Sequence, residues 1–108
     1  MHKYTGYTMT LREKQSKFVL MIADLVQWAY KNGYELTYGD AYAQSGHRWN
    51  SNHYKRLAVD FNLFIDGIYQ EYTDAYKPLG EYWESIGGAW GGRFNDGNHF
   101  SLEHKGVK

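Results

Sequence analysis

The sequence predicts an α+β fold, in which helices pack on one face of a small, mostly antiparallel sheet. Three observations predict it: a long segment with apolar residues at helical spacing, strand-like segments that include a hairpin, and a second helical segment near the C-terminus. The order helix, strand, hairpin, helix, strand is typical of α+β domains. A length of 108 residues suits one compact domain, so we expect a single domain over residues 1–108.

The first predicted element is an amphipathic helix from Leu11 to Asn32. Thr10 and Glu13, three residues apart, can form a capping box at its start. Gly33 suits the left-handed conformation that ends many helices. The apolar residues of this predicted helix recur every three or four positions and form one stripe: Phe18, Met21, Ile22, Leu25, Val26 and Ala29.

Strand patterns follow this helix. Alternating apolar and polar residues over Tyr34–Tyr38 predict a strand with one buried face. The polar segment Ala41–Asn52 lacks any period, so we expect a loop that forms the lip of a site. The apolar run Leu57–Ile65 predicts a buried strand, and Asp66-Gly67 predicts a tight turn into a return strand at Ile68–Tyr69.

Helical spacing returns between Tyr72 and Ile86, which predicts a second helix. Thr73 is its expected N-cap, and Pro78 is expected to delay or kink its first turns. The glycine-rich segment Gly87–Gly97 predicts an irregular loop, and the alternation over Asn98–Glu103 predicts a last strand.

Composition excludes several classes of function. The chain has no cysteine, so any metal must be bound by His and carboxylate ligands. Twelve basic and twelve acidic residues balance, which argues against a nucleic-acid partner. No apolar stretch reaches membrane-spanning length and the N-terminus does not read as a signal peptide, so we expect a protein made in the cytoplasm without stable membrane association. We also expect a monomer.

Two short segments contain residues suited to metal chemistry. Six residues separate His53 from Asp60, which lies inside an apolar run. Burying an ionised carboxylate without a partner is costly, so Asp60 needs a cation, a hydrogen-bonded partner or a metal beside it. Asp96 and His99 lie three residues apart next to the glycine-rich segment. Two His and one carboxylate form a known zinc ligand set that leaves a position open, and one further acid remains.

The segment Ser51–Asp60, SNHYKRLAVD, and the later segment Trp90–Phe100, WGGRFNDGNHF, resemble the paired motifs of the M15 (VanY-type) zinc peptidases of peptidoglycan. The likeness is greatest to the short phage endolysins of that family, the L-alanyl-D-glutamate endopeptidases. Their site is supplied by a Ser-x-His-x6-Asp motif and a later Asp-x-x-His motif.

This resemblance implies a role for each matching residue. His53, Asp60 and His99 would bind Zn²⁺ at the sheet edge and its loops, and Asp96 would act as general base towards the attacking water and as acid towards the departing amine. Arg48 is the nearest candidate for an arginine that binds a substrate carboxylate or stabilises the oxyanion.

The resemblance also implies a substrate, the stem peptide of bacterial peptidoglycan cut between L-Ala and D-Glu. A phage enzyme of this kind is made in the host cytoplasm and reaches the periplasmic wall after release by a separate pore-forming protein. A carboxypeptidase or dipeptidase acting on D-Ala-D-Ala is the first alternative, and a non-catalytic phage module that binds the cell wall is the second. The remaining histidines are interpreted as surface residues: His2, His47 and His104.

Overall fold

The computed structural model describes residues 9–39, 52–53 and 55–108. These residues form two α-helices, two short 3-10 turns and an open five-stranded antiparallel sheet, so the predicted α+β class is confirmed. The predicted loop Ala41–Asn52 lies outside the described residues except for its last residue. Its candidate site residue Arg48 lies outside them too, as do His47 and His2, and the role of Arg48 stays a prediction.

Helix α1 spans Leu11–Lys31, one residue shorter than predicted. Its capping box is confirmed: the Thr10 hydroxyl accepts from the Glu13 amide at 3.1 Å, and the Glu13 carboxylate accepts from the Thr10 amide at 2.9 Å. Gly33, with φ of 86°, follows the end of the helix as expected. Neither α1 nor the other described helix is long and apolar enough to cross a membrane.

The sheet has one central strand. Its strands are β1 (Tyr34–Tyr38), β2 (Ala58–Ile65), β3 (Ile68–Gln70), β4 (Ala89–Trp90) and β5 (His99–Ser101). The main order is β1-β2-β5-β4, and β3 pairs with β2 as the predicted hairpin. The C-terminal half of β2 therefore pairs with β1 and β3, and its N-terminal half pairs with β5.

Three predictions near the C-terminus were wrong in detail. The predicted helix Tyr72–Ile86 divides into a 3-10 turn at Thr73–Tyr76 and a helix α2 at Lys77–Ser85. Pro78 lies in the first turn of α2, where its missing N–H breaks no helical hydrogen bond. Thr73 is not a helix cap, because no side-chain cap bond exists there. The glycine-rich segment contains β4 and a second 3-10 turn at Gly91–Phe94.

Both helices contribute to one hydrophobic core on one face of the sheet. On β2 the side chains of Val59, Phe61 and Leu63 are buried in this core. Because side chains alternate along a strand, Asp60 projects from the opposite face. The helices contribute the following buried residues to the core: Phe18, Met21, Leu25 and Ala29 from α1, and Leu79 and Trp83 from α2.

The phenol of Tyr76 fills a gap in strand pairing along the edge of β2. Its hydroxyl donates to the Phe61 carbonyl at 3.2 Å and accepts from the Leu63 amide at 3.1 Å. Phe61 directly follows the part of β2 that pairs with β5, and Leu63 is the first residue of β2 that pairs with β3. The side chain is only 2% exposed, and burial raises the pKa of this phenol. Tyr76 thus completes the hydrogen bonding of the strand that carries Asp60.

The substitution Tyr76→Phe tests this role. It leaves two buried backbone groups of β2 without their partner, so we expect the free energy of unfolding to fall by about 1–3 kcal/mol. Urea unfolding measures the change, with Tyr72→Phe as the control because Tyr72 is 77% exposed. Equal stability of the two variants would contradict the bridging role.

Candidate metal centre

The three residues predicted as metal ligands come together on the sheet face that points away from the core. Asp60 in β2 and His99 in β5 are directly opposed partners in the antiparallel register. Opposed residues project from the same face, so the two side chains meet. His53 comes from the turn that precedes β2. The imidazoles are 2% and 7% exposed, for His53 and His99 respectively, whereas the Asp60 side chain keeps 18% exposure.

Both imidazoles approach the same carboxylate oxygen. Nε2 of His53 and Nδ1 of His99 each lie 3.3 Å from Oδ1 of Asp60. The two rings are 5.1 Å apart between centroids and inclined at 66°. Two ligand atoms bound at about 2 Å to one tetrahedral ion lie about 3.3 Å apart, whereas N–H···O hydrogen bonds are usually shorter. The spacing therefore fits coordination of an ion by these atoms.

One potential ligand atom from each of the three residues lies within 4.8 Å of the other two. No other group of three His, Asp or Glu side chains among the described residues is close enough to hold a metal ion. A carboxylate and two imidazoles form a donor set typical of zinc. His53, Asp60 and His99 can therefore form a metal site.

Electrostatics favours a cation at this position. Burial works against ionisation of Asp60, but the two neighbouring imidazoles of His53 and His99 outweigh it and lower the pKa of Asp60 from 3.8 to about 2. The carboxylate is therefore ionised at neutral pH. A half-buried negative charge between two nitrogen ligands is the electrostatic arrangement that a divalent cation requires.

Asp96 is close to His99 along the chain, but its carboxylate is not one of the three side chains that converge at the candidate metal site. The Asp96 amide donates to the Gly91 carbonyl at 2.9 Å, and its carbonyl accepts from the His99 amide at 3.1 Å. A Cβ at Gly91 would lie 2.2 Å from the carbonyl oxygen of Asp96, so this close approach requires glycine. The carboxylate itself is exposed and lines a polar cavity of about 190 Å³ with Glu71 and Thr73.

Thr73 and Trp90 hold the peptide groups on both sides of Gly97, directly after Asp96. The Gly97 amide donates to the Thr73 hydroxyl at 3.1 Å, and the Trp90 indole donates to the Gly97 carbonyl at 2.8 Å. A Cβ at Gly97 would lie 2.7 Å from the Cα of Thr73. This role of Thr73 was not predicted from the sequence, because a threonine before a helical pattern predicts a cap and carries no signal of a partner 24 residues away.

Substitution of Thr73 tests whether its hydroxyl fixes this loop. Thr73→Val keeps the shape of the side chain but leaves the amide of buried Gly97 without an acceptor, so we expect the free energy of unfolding to fall by about 1–3 kcal/mol. Thr73→Ser keeps the acceptor and is expected to lose much less. Chemical denaturation compares them, and a loss in Thr73→Ser without a loss in Thr73→Val would show that the methyl group matters instead.

Comparison with known proteins agrees with this geometry. A sequence model of the M15 peptidase family, described as D-alanyl-D-alanine carboxypeptidase, matches residues 43–102. The match covers more than half of the chain and contains His53, Asp60, Asp96 and His99. The chain therefore belongs to the M15 peptidase family. A search for similar curated proteins found no match. Peptidases of this family are metal-dependent and act on cell-wall peptides. The family match therefore supports the conclusion that this chain is a metallopeptidase.

Proposed function

We propose that this chain is a zinc-dependent peptidoglycan hydrolase that cuts the L-Ala–D-Glu bond of the stem peptide, as the phage endolysins of the M15 family do. The observation that carries the proposal is the convergence of His53 and His99 on one oxygen of Asp60 within the family segment. The spacing of the two motifs, which resembles that of the short endolysins, supports the choice of bond. In a phage, the enzyme reaches the wall from the host cytoplasm through a pore formed by another protein.

His53, Asp60 and His99 would hold the zinc ion. When bound, zinc polarises a carbonyl group and lowers the pKa of water. The carboxylate of Asp96 is the nearest acid along the chain to His99 and is open to solvent, so an extended peptide can reach it. It accepts a proton from the attacking water on a carboxylate oxygen and then gives that proton to the departing amine of D-Glu.

The metal site is tested by measuring bound zinc in purified protein. We expect about one zinc ion per chain in the wild type and about a tenth of that or less in Asp60→Asn, which removes the charge between the two imidazoles. Asp66→Asn is the matched control, because Asp66 lies in the exposed turn between β2 and β3. Elemental analysis of folded samples gives the result, and zinc retained in Asp60→Asn would contradict the proposed ligand set.

The role of Asp96 is tested separately from metal binding. We expect Asp96→Asn to keep its zinc and to lose about 10²–10⁴-fold in kcat, because the general base is removed while the ligands remain. Turnover of purified sacculi by the zinc-loaded variant measures the loss, with Asp66→Asn again as control. Full activity of the zinc-loaded Asp96→Asn variant would exclude it as the base.

A second candidate function is removal of D-Ala from the end of the stem peptide, which the description of the matching family favours. Mass spectrometry of digested sacculi distinguishes the two activities. New N-terminal D-Glu is the expected result and identifies the endopeptidase, whereas loss of one D-Ala residue identifies the carboxypeptidase. Intact stem peptides after treatment with zinc-loaded protein would contradict both.

A further inference from the structure

Asn52, the residue before His53, has a buried side chain that forms hydrogen bonds to the C-terminal segment of the chain. Asn52 is 1% exposed. Its amide nitrogen donates to the Leu102 carbonyl at 3.1 Å and to the Val107 carbonyl at 2.7 Å. Both acceptors lie after β5, about fifty residues along the chain from Asn52. One side chain therefore joins the turn before β2 to the segment after β5.

The main chain of Asn52 fixes the other side of this turn. Its carbonyl accepts from the Leu57 amide at 2.8 Å and from the Lys55 amide at 3.2 Å. The Leu57 carbonyl in turn accepts from the Leu102 amide at 2.9 Å, directly before the paired part of β2 and β5. Asn52 is therefore bonded through its backbone to the start of β2 and through its side chain to the chain beyond β5.

The acceptor at Val107 is itself held in place. His104 and Val107 exchange two backbone hydrogen bonds of 2.9 Å each, around a turn in which Lys105 and Gly106 have φ of 49° and 81°. Positive φ at both central residues is typical of a tight hairpin turn and favours glycine at the second position. This C-terminal turn, residues 104–107, presents the Val107 carbonyl to the Asn52 amide in a fixed direction.

We propose that Asn52 is a positioning residue for the metal centre and that the C-terminal turn supports it. Asp60 and His99 are set by strand register, whereas His53 lies in a turn whose shape depends on the bonds of Asn52. Loss of a residue that orients a metal ligand commonly weakens metal binding about 10–100-fold. This inference rests on the proposed zinc centre. It adds Asn52, which is neither one of the proposed zinc ligands nor the proposed base.

The test measures zinc affinity by competition with a chelator, at a temperature below the unfolding midpoint of every variant. Asn52→Leu keeps the branched shape of the side chain and removes the amide, and we expect its zinc affinity to be about 10–100-fold weaker than that of the wild type. Asn32→Leu is the matched control, because the Asn32 amide also donates to a carbonyl, that of Trp28, at the end of α1. A residue that only stabilised the fold would lower the unfolding midpoint and leave the zinc affinity unchanged.

A second pair of variants acts on the C-terminal turn and leaves Asn52 in place. Gly106→Val strains the turn at φ of 81°, and Gly67→Val strains the similar β2–β3 turn at φ of 79°. We expect weaker zinc binding in the first and unchanged binding in the second. Wild-type affinity in both Asn52→Leu and Gly106→Val would overturn the positioning role alone. A wild type that binds no zinc would overturn the proposed metal centre and this role together.

Discussion

The antiparallel register between β2 and β5 is the constraint on which the rest of the site depends. It sets Asp60 opposite His99 on one face and Val59 opposite Phe100 on the other. Because side chains alternate along a strand, a shift of one residue would turn the acid into the core and an apolar side chain towards the site. The buried Val59–Phe100 pair therefore fixes the polar pair next to it, and core packing and site geometry are two results of the same pairing.

Sequence periodicity predicted the elements whose structure is set by local patterns. Helix α1 was recognisable from its apolar stripe and from the Thr10 and Glu13 capping pair, and the β2–β3 hairpin from Asp66-Gly67. Strand β4 was not, because the two residues Ala89-Trp90 are too few to show a period. The 3-10 turn before α2 was missed because its residues fit the helical spacing of the residues that follow them.

The candidate site was also predictable only in part. An acid inside an apolar run and paired His and Asp at family spacing led to the three residues that converge in the structure. Asn52 gave no such signal, because its partners are backbone carbonyls, which every residue has, on a distant part of the chain. Thr73 was assigned to the wrong partner for the same reason. A sequence shows which side chains have unusual chemistry, but it does not show which distant backbone groups hold them.

Helix α1 lies outside residues 43–102, the segment that matches the family. Its Phe18 and Leu25 nevertheless pack in the same core as Phe61 and Leu63 of β2. Without α1 these strand residues would face water, at a cost of about 25 cal/mol for each Å² of apolar surface uncovered. The boundary of the family match is therefore not the boundary of the folded unit, and a fragment cut to the matching segment would keep both motifs but lose about a third of the buried core residues.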